Sequence, residues 1–251
     1  MNQNLLILGG TSEAVALAKA VAEMNIATTI SLAGRVMQPR PQPVPMRVGG
    51  FGGAPGLAEW LRAHAISHVI DATHPFAAQI SANAVTACDQ ADVPLLALTR
   101  PAWTPVAGDS WTHVADIRDA ATALCQPALR VMLAIGRMHL GQFAINPQHF
   151  YLLRLVDTPD AALPLPRTDV IVDRGPFSEA GDRDLLMKHD IQLVVAKNAG
   201  GDATYSKITA ARSLGLRVLM IDRPAIPARP EVHDIAAALD WIVHSGTDRG
   251  V

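Results

Sequence analysis

The sequence predicts an α/β protein made of two Rossmann-like domains with mainly parallel sheets and a ligand cleft between them. One observation is that short apolar runs alternate with longer Ala- and Leu-rich segments whose apolar residues recur at helical spacing. A second is that this strand and helix alternation occurs in both halves of the chain, which favours two covered parallel sheets. A third is that glycine, proline and basic residues follow the predicted strands, as is typical of ligand-binding strand ends.

In the first half, the apolar residues Val15, Ala18 and Ala22 are spaced as on a helix with one face on a sheet. The runs between such helices are short and apolar, as expected of strands buried on both faces. Strands are expected at residues 5–8, 28–32, 69–71 and 95–99, and helices at 12–25, 57–65 and 76–91.

The second half repeats the pattern after a predicted helix at residues 117–125. Pro127 follows this helix, and proline ends helices and biases its neighbour toward extended geometry. We therefore expect one domain at residues 1–126 and a second at residues 127–251. Strands are expected at residues 131–135, 151–155, 170–172, 193–196 and 218–221, and helices at 177–189, 203–214 and 232–244.

Composition limits the classes of partner. Of 251 residues, 49% are hydrophobic and 18% charged, a balance typical of a folded chain and unlike that of a disordered one. The net charge of -2 gives no global field that would attract nucleic acid. The sequence has neither a bilayer-spanning apolar run nor the features of an export signal. We expect a cytoplasmic protein with no nucleic-acid partner and no membrane segment.

The sequence also lacks several catalytic signatures. Cys88 and Cys125 have no CxxC spacing or neighbouring histidines, so we predict no disulfide and no metal site, and expect both thiols to be buried. The sequence contains no nucleophile elbow, Walker lysine or paired-histidine motif, which removes support for triad hydrolysis, phosphoryl transfer and zinc catalysis.

The most distinctive motif is a strand that runs into two glycines and then opens a helix. Glycine allows close backbone approach to a ligand, and a helix N-terminus attracts phosphate. The full GxGxxG pattern is absent, so a plain tight turn is the alternative to nucleotide binding. The candidate cofactor-binding residues here are Gly9, Gly10, Thr11, Ser12 and Glu13.

The end of the second predicted strand bears on the choice of cofactor. An NAD-preferring fold places a carboxylate there to bind the ribose hydroxyls, whereas this segment has none. Ser31, Gly34 and Arg35 could instead hold a ribose phosphate, which predicts NADPH; a solvated loop arginine is the alternative.

Two further strand ends add candidates for the cofactor site. Gly50, Phe51 and Gly52 form an adaptable glycine-rich loop that could lie beside a ring or a phosphate. Thr73 and His74 follow the strand at residues 69–71, where open parallel sheets bind ligands, although a lone histidine is more often structural.

Basic residues recur after predicted strand ends in both halves of the chain. Ordinary surface charge could account for some of them, but their shared placement predicts an anionic ligand with several negative groups. The candidate substrate-binding residues are Arg100, Arg137, Arg174, Gly175, Lys197, Asn198, Gly200, Gly201 and Arg223, with Arg35 also in the basic series.

Nine segments together resemble the precorrin-6A reductase family of cobalamin biosynthesis. The resemblance covers nearly the whole chain, and the set is specific although each segment alone is weak. KNAGG departs from the KNSGG of many relatives and places no hydroxyl at Ala199. The segments are ILGGTSEA, SLAGR, GGFGG, DATHPFAAQIS, LTRPAW, AIGR, DRGPF, KNAGG and IDRPAIP.

The resemblance implies that NADPH delivers a hydride to one carbon–carbon double bond of precorrin-6A, giving precorrin-6B. The many carboxylates of this tetrapyrrole agree with the basic strand ends. General acid catalysis needs a donor near the second carbon, and we consider Lys197 and His74 before Asp71 and Tyr205. The alternative for Lys197 is a contact with a substrate carboxylate. The resemblance is also compatible with transient contact with neighbouring enzymes of the pathway.

Three other functions stay open. The substrate could be the cobalt-containing form of precorrin-6A, since the two pathways have similar reductases. The chain could also be a non-catalytic NADPH-binding sensor, although a sensor leaves the basic loops of the second half unexplained. A reductase of another polycarboxylate shares all the evidence except the family segments.

Overall fold

The computed structural model describes residues 3–34 and 41–245. The chain divides into two compact units, one of Met1–Arg100 with Ala225–Val251 and one of Pro101–Pro224. Each unit contains a six-stranded sheet, and every pair of neighbouring strands is parallel. The predicted α/β fold with two Rossmann-like sheets is confirmed. Within the described ranges, no helix is long and apolar enough to cross a membrane.

The helices and strands follow one another along the chain in three stretches. The first unit begins with β1 (Asn4–Leu8), α1 (Ser12–Glu23), β2 (Ala27–Leu32), β3 (Met46–Val48), α2 (Gly53–Ala63), β4 (His68–Asp71), α3 (Ala78–Ala91) and β5 (Leu95–Leu98). The second unit contains β6 (Ser110–Val114), α4 (Ile117–Ala123), β7 (Arg130–Ala134), a 3₁₀ helix (Arg137–Ile145), β8 (Phe150–Leu155), β9 (Thr168–Val172), α5 (Glu179–Lys188), β10 (Leu193–Lys197), α6 (Ser206–Ser213) and β11 (Arg217–Ile221). The chain then returns to the first unit with β12 (Glu231–Val232) and α7 (Ile235–His244).

The two sheets share one topology. The first has the order β12-β5-β4-β1-β2-β3 and the second β6-β11-β10-β7-β8-β9. In each, the strand order reverses beside a central strand, β1 or β7. In doubly wound sheets a crevice opens there at the carboxyl ends of the strands, and ligands bind in it.

The apolar run of β1 is explained by burial on both faces. Leu5 and Ile7 belong to a core cluster that includes residues of α1 and α7. Leu6 and Leu8 point the other way, into a cluster with residues of α2 and α3. Because side chains alternate along a strand, a strand covered on both sides is apolar at every position.

Polar caps begin four of the helices. The side chains of Thr11, Asp116, Ser178 and Asp234 each accept a hydrogen bond from the backbone N–H three residues further on. Such caps satisfy one of the unpaired N–H groups of the first turn, which fixes where each helix starts.

The domain boundary expected at residues 126 and 127 differs from the observed division. Strand β6 precedes that position, yet it pairs with β11 in the second sheet. Strand β12 lies near the C-terminus, yet it pairs with β5 in the first sheet. The first sheet therefore receives its outer strand from the C-terminal segment, and the second sheet begins with its outer strand. A count of successive strands and helices cannot reveal either arrangement.

The strands that the sequence did not predict all lie at sheet edges. β3, β6 and β12 have three, five and two residues, and every residue in them is at least partly exposed. Short, half-polar edge strands lack the apolar run that marks a central strand.

The two thiols differ in exposure. Cys88 on α3 is buried as expected, but Cys125 is exposed, so that expectation was wrong for Cys125. Cys125 lies two residues beyond the end of α4, and it belongs to no strand or helix of the fold.

Candidate functional site

The turn between β1 and α1 brings the glycine pair to the carboxyl edge of the first sheet. Gly9 N–H donates to Ser31 O at 2.8 Å. Gly10 has a φ of +130°, and a Cβ placed there would meet nothing within 4 Å. The turn therefore requires glycine at position 10 for its backbone conformation, and it leaves open space beside that backbone.

Thr11 ties this turn to the next strand end along the sheet. Its Oγ1 accepts from Ala14 N–H at 3.1 Å and donates to Ala72 O at 2.8 Å. The start of α1 and the loop after β4 are thus held together at the switch point of the sheet, where nucleotides bind in this topology.

Arg100 lies in the first unit, beside the same turn. Its Nε is 3.6 Å from Glu13 Oε1, and Ser12 Oγ donates to the other oxygen of Glu13 at 3.0 Å. The Arg100 side chain is 12% exposed, so the pair is partly shielded from water. A carboxylate in the first turn of α1 would repel a phosphate there, and Arg100 offsets that charge.

Arg47 is a site residue that the sequence analysis missed. It pairs with Ser31 in the β2–β3 register, and its Nη1 donates to Ser31 Oγ at 2.8 Å. The same guanidinium donates to the carbonyls of Gly49 and Gly50 at 3.0 Å each and lies 3.7 Å from the centroid of the Phe51 ring. The signal that could have found it was its place in the sequence just before the glycine-rich loop.

The Arg47 guanidinium has more donors than its contacts with described residues use. It has five N–H groups, and within residues 3–34 and 41–245 the contacts to Ser31, Gly49 and Gly50 use three of them. Burial lowers the pKa of Arg47. Arg35, the residue predicted to hold the ribose phosphate, lies outside the described residues, and Gly34 is the last described residue before it.

The glycine-rich loop then packs tightly onto α2. Gly52 has a φ of +81° and precedes the helix. A Cβ at Gly56, one turn into α2, would lie 1.9 Å from the carbonyl oxygen of Phe51. Only glycine at position 56 allows this approach, so the helix fixes the position of Phe51 beside Arg47.

Thr73 and His74 occupy the loop after β4. Asp71 Oδ1 accepts from Thr73 N–H at 3.1 Å and from Thr73 Oγ1 at 2.7 Å. His74 Nδ1 accepts from Phe76 N–H at 3.2 Å, so Nε2 carries the proton of the neutral ring. Asp71 is 2% exposed, which removes it from direct contact with a ligand.

The second unit gathers its basic residues at one sheet edge. Arg137, Arg174, Lys197 and Arg223 follow or end the strands β7, β9, β10 and β11, whose carboxyl ends share an edge because the sheet is parallel. Arg137 Nη1 lies 3.0 Å from Asp160 Oδ1. At least half of each of these two side chains is exposed to water. Exposed pairs of this kind contribute little stability and can exchange for other anions.

Arg174 and the Gly175 loop are also at this edge. Arg174 Nη2 lies 2.6 Å from Asp157 Oδ1, with about a third of each side chain exposed. A Cβ at Gly175 would lie 3.2 Å from the Phe177 ring. The guanidinium of Arg154 on β8 lies 4.0 Å from the centroid of the same ring. Arg154 also pairs with the buried Asp182, so the Phe177 ring packs against a buried ion pair.

The loop after β10 is held in place by Trp103. Asn198 Oδ1 accepts from Trp103 N–H at 2.7 Å, and Asn198 Nδ2 donates to Trp103 O at 2.9 Å. Trp103 Nε1 donates to Gly201 O at 2.9 Å. The side-chain amide of Asn198, expected to meet substrate, is therefore engaged in positioning its own loop.

Arg223 and Gly200 complete that loop. Arg223 Nε donates to Asn198 O at 3.0 Å and its Nη2 to Ala199 O at 3.2 Å. Gly200 has a φ of +70°, and a Cβ there would lie 2.1 Å from Pro101 O and 2.6 Å from Arg223 Nη2. Lys197, half-buried at the end of β10, is the basic residue that begins this loop.

Each unit thus presents one edge suited to anions. The first brings a glycine turn, Ser31, Arg47 and the Thr73 loop together on adjacent strands β1 to β4. The second brings four basic side chains to the ends of its strands. Within the described part of the chain, no cluster of His, Cys, Asp or Glu is placed to hold a metal ion.

Comparisons with known proteins give one consistent result. The family model described as "Precorrin-6x reductase CbiJ/CobK" matches residues 4–243. A precorrin-6A reductase of Rhodobacter capsulatus is 53% identical over 248 residues, which cover 98% of this chain and 99% of the relative. One from Sinorhizobium sp is 48% identical over 241 residues, covering 96% of this chain and 92% of the relative. A solved structure of CobK precorrin-6A reductase matches with a TM-score of 0.94 and 53% identity, over 99% of this chain and 100% of that one.

Proposed function

This chain belongs to the precorrin-6x reductase family, and from that premise we propose that it reduces precorrin-6A to precorrin-6B with NADPH in cobalamin biosynthesis. The observation that carries the proposal is the row of basic side chains at the carboxyl edge of the second sheet, on β7, β9, β10 and β11. A tetrapyrrole with several carboxylates is a ligand for which such a row is suited.

The first unit fits a phosphorylated dinucleotide. The open space beside Gly10 would be filled by any Cβ, and the adjacent start of α1 favours a phosphate. Ser31 and Arg47 would hold the ribose phosphate together with Arg35. Gly9, Thr11 and the backbone of Ser12 and Glu13 would surround the pyrophosphate, with Arg100 offsetting the Glu13 carboxylate.

The remaining candidates of the first unit line the same edge. The loop of Gly50, Phe51 and Gly52 lies beside Arg47, and Thr73 and His74 follow β4. When bound, the nicotinamide supplies the hydride, while the protein supplies orientation and charge compensation. Positioning both reactants accounts for much of the rate enhancement that this chemistry needs.

The second unit would bind the substrate carboxylates. Arg137, Arg174 and Arg223 offer guanidinium groups suited to carboxylates, and the backbone of Gly175, Gly200 and Gly201 shapes the loops around them. The aspartates that pair with Arg137 and Arg174 would be exchanged for substrate carboxylates.

The proton is assigned to Lys197 or His74. Lys197 ends a buried strand, and an ammonium group there can release a proton; His74 could do so only as the imidazolium, because in the neutral ring its Nδ1 accepts from Phe76 N–H. Tyr205, considered after these two, has its hydroxyl oxygen held by Arg212 Nη2 at 2.7 Å and would still have its own O–H to donate. Loss of a proton donor in Lys197→Met lowers kcat, whereas loss of a carboxylate contact raises KM.

The function is tested by supplying the purified protein with precorrin-6A and either NADPH or NADH. We expect loss of NADPH absorbance that depends on the tetrapyrrole, with slower oxidation of NADH. Binding of NADPH without turnover on any tetrapyrrole would instead support a sensor. Turnover restricted to the cobalt-containing substrate would assign the other pathway, and turnover of an unrelated polycarboxylate would remove the tetrapyrrole assignment.

A further inference from the structure

We propose that Arg229 is a positioning residue of the nucleotide site, which acts by neutralising the buried Asp71 carboxylate that holds Thr73 in place. The inference rests on the proposed function of the first unit. Arg229 lies in the segment that returns to the first unit just before β12, far in sequence from the glycine turn.

Asp71 fixes the loop that follows β4. One carboxylate oxygen accepts from both the N–H and the hydroxyl of Thr73, at 3.1 and 2.7 Å. The Thr73 hydroxyl also lies 3.3 Å from Ser81 Oγ on α3. Between them, Ala72 accepts from Thr11, so the Asp71 carboxylate acts on a loop that is already joined to the glycine turn.

Arg229 supplies the positive charge that stabilises the buried Asp71 carboxylate. Its Nη2 is 3.3 Å from the second oxygen of Asp71, and the two side chains are 11% and 1% exposed. A carboxylate buried without a cation is strongly destabilising. The charge of Asp71 is felt locally: after burial, it is the second cause that raises the pKa of the Cys88 thiol to about 12.

The contacts of Arg229 point to this pairing rather than to a backbone anchor. Its Nε is buried and makes no hydrogen bond within the described part of the chain. The adjoining backbone is held separately, since Ala97 N–H donates to Pro230 O at 2.9 Å. The ion pair with Asp71 therefore accounts for the burial of the guanidinium, and the C-terminal segment reaches the nucleotide loop through it.

The test compares NADPH binding, thermal stability and kinetics in the full chain. Arg229→Met should raise the NADPH dissociation constant and the KM for NADPH about tenfold, with a smaller effect on kcat. Asp71→Asn/Arg229→Met should restore binding, because asparagine presents an oxygen to Thr73 and leaves no buried charge. Arg212→Met is the matched control: Arg212 pairs with Asp109, which is 1% exposed, in the second unit. The Arg212→Met variant should have a lower Tm but an unchanged dissociation constant for NADPH.

A second comparison holds even where Arg229→Met alone does not fold. Asp71→Ala/Arg229→Met also lacks both charges but offers Thr73 no acceptor, so it should bind NADPH about tenfold more weakly than the asparagine double variant. Equal dissociation constants for the two double variants would overturn the proposal. So would an Arg229→Met protein that loses Tm as Arg212→Met does and binds NADPH normally. Failure of the unsubstituted protein to bind NADPH would refute the proposed function itself.

Discussion

At the scale of single residues, Arg47 shows how one side chain can join two strand ends. It donates to Ser31 on β2 and to the carbonyls of the loop after β3, and its guanidinium lies on Phe51. The sequence analysis assigned the ribose phosphate to Ser31, Gly34 and Arg35, which stays a prediction, and it did not consider Arg47. Pairing between β2 and β3 is what brings Arg47 to Ser31, and a three-residue edge strand is too short to be recognised from periodicity.

Arg47→Ala should weaken NADPH binding about 10- to 100-fold and NADH binding less, because a charge-assisted contact to the ribose phosphate is lost. The measurement is a fluorescence titration with each dinucleotide. Arg62→Ala is the matched control, since Arg62 lies on α2 and donates to Gln90 O instead. Equal weakening of both dinucleotides would mean that Arg47 only holds the loop. The same titration on Arg35→Ala measures how much each of the two arginines contributes to binding the ribose phosphate.

The difference in burial between Cys88 and Cys125 can be tested by chemical modification of their thiols near neutral pH. Burial, with a smaller contribution from the charge of Asp71, raises the pKa of Cys88 to about 12, whereas Cys125 is exposed. A thiol reagent at pH 8 should therefore modify one cysteine per folded chain, identified as Cys125 by peptide mass, and both in denaturant. Rapid modification of Cys88 in the folded protein would contradict this burial.

The raised pKa of Cys88 makes the free energy of unfolding depend on pH. In the unfolded chain Cys88 ionises near an ordinary thiol pKa of about 8.5, while in the folded chain it keeps its proton. The contribution of Cys88 to folding is therefore complete below that pH. It decreases as the pH rises toward the folded pKa of about 12.

At the scale of elements, the central strands and the longer helices were predicted, and the edge strands were not. The run Leu5–Leu8 identifies β1 because both of its faces are buried. β12 pairs through only Glu231 and Val232, and its place beside β5 depends on tertiary contacts that no local pattern encodes. The supports of the loops were missed for the same reason: the contact between Asn198 and Trp103 joins residues far apart in sequence.

The loop after β10 gives a prediction about backbone geometry. Gly200→Ala should lower the free energy of unfolding by about 3 kcal/mol, because the methyl group would overlap Pro101 O and the φ is positive. Gly215→Ala is the matched control, since its φ is also positive but a Cβ there meets nothing within 4 Å. It should cost about 1 to 2 kcal/mol from backbone strain alone. Urea unfolding measures both, and equal losses would exclude a steric role for Gly200.

At the scale of the whole molecule, each sheet has the strand order of a dinucleotide-binding domain, but only the first completes it with a strand from elsewhere in the chain. β6 and β12 occupy equivalent outer positions, beside β11 and β5. The sequence predicted two Rossmann-like sheets, because the repeated strand and helix pattern is local. It could not predict where β6 and β12 pair, because the pairing of an outer strand is decided by packing between distant segments. The C-terminal segment thereby brings Arg229 to Asp71 in the first unit.

The proposed reaction is the transfer of a hydride from NADPH to a double bond of precorrin-6A. The most direct measurement supplies NADPH deuterated at the transferable position in ordinary water and determines the product by mass spectrometry. We expect a reduced tetrapyrrole with one deuterium from the cofactor and one hydrogen from water, and one NADP⁺ formed per product. A reduced product without deuterium, or bound NADPH that stays unoxidised when precorrin-6A is present, would contradict it.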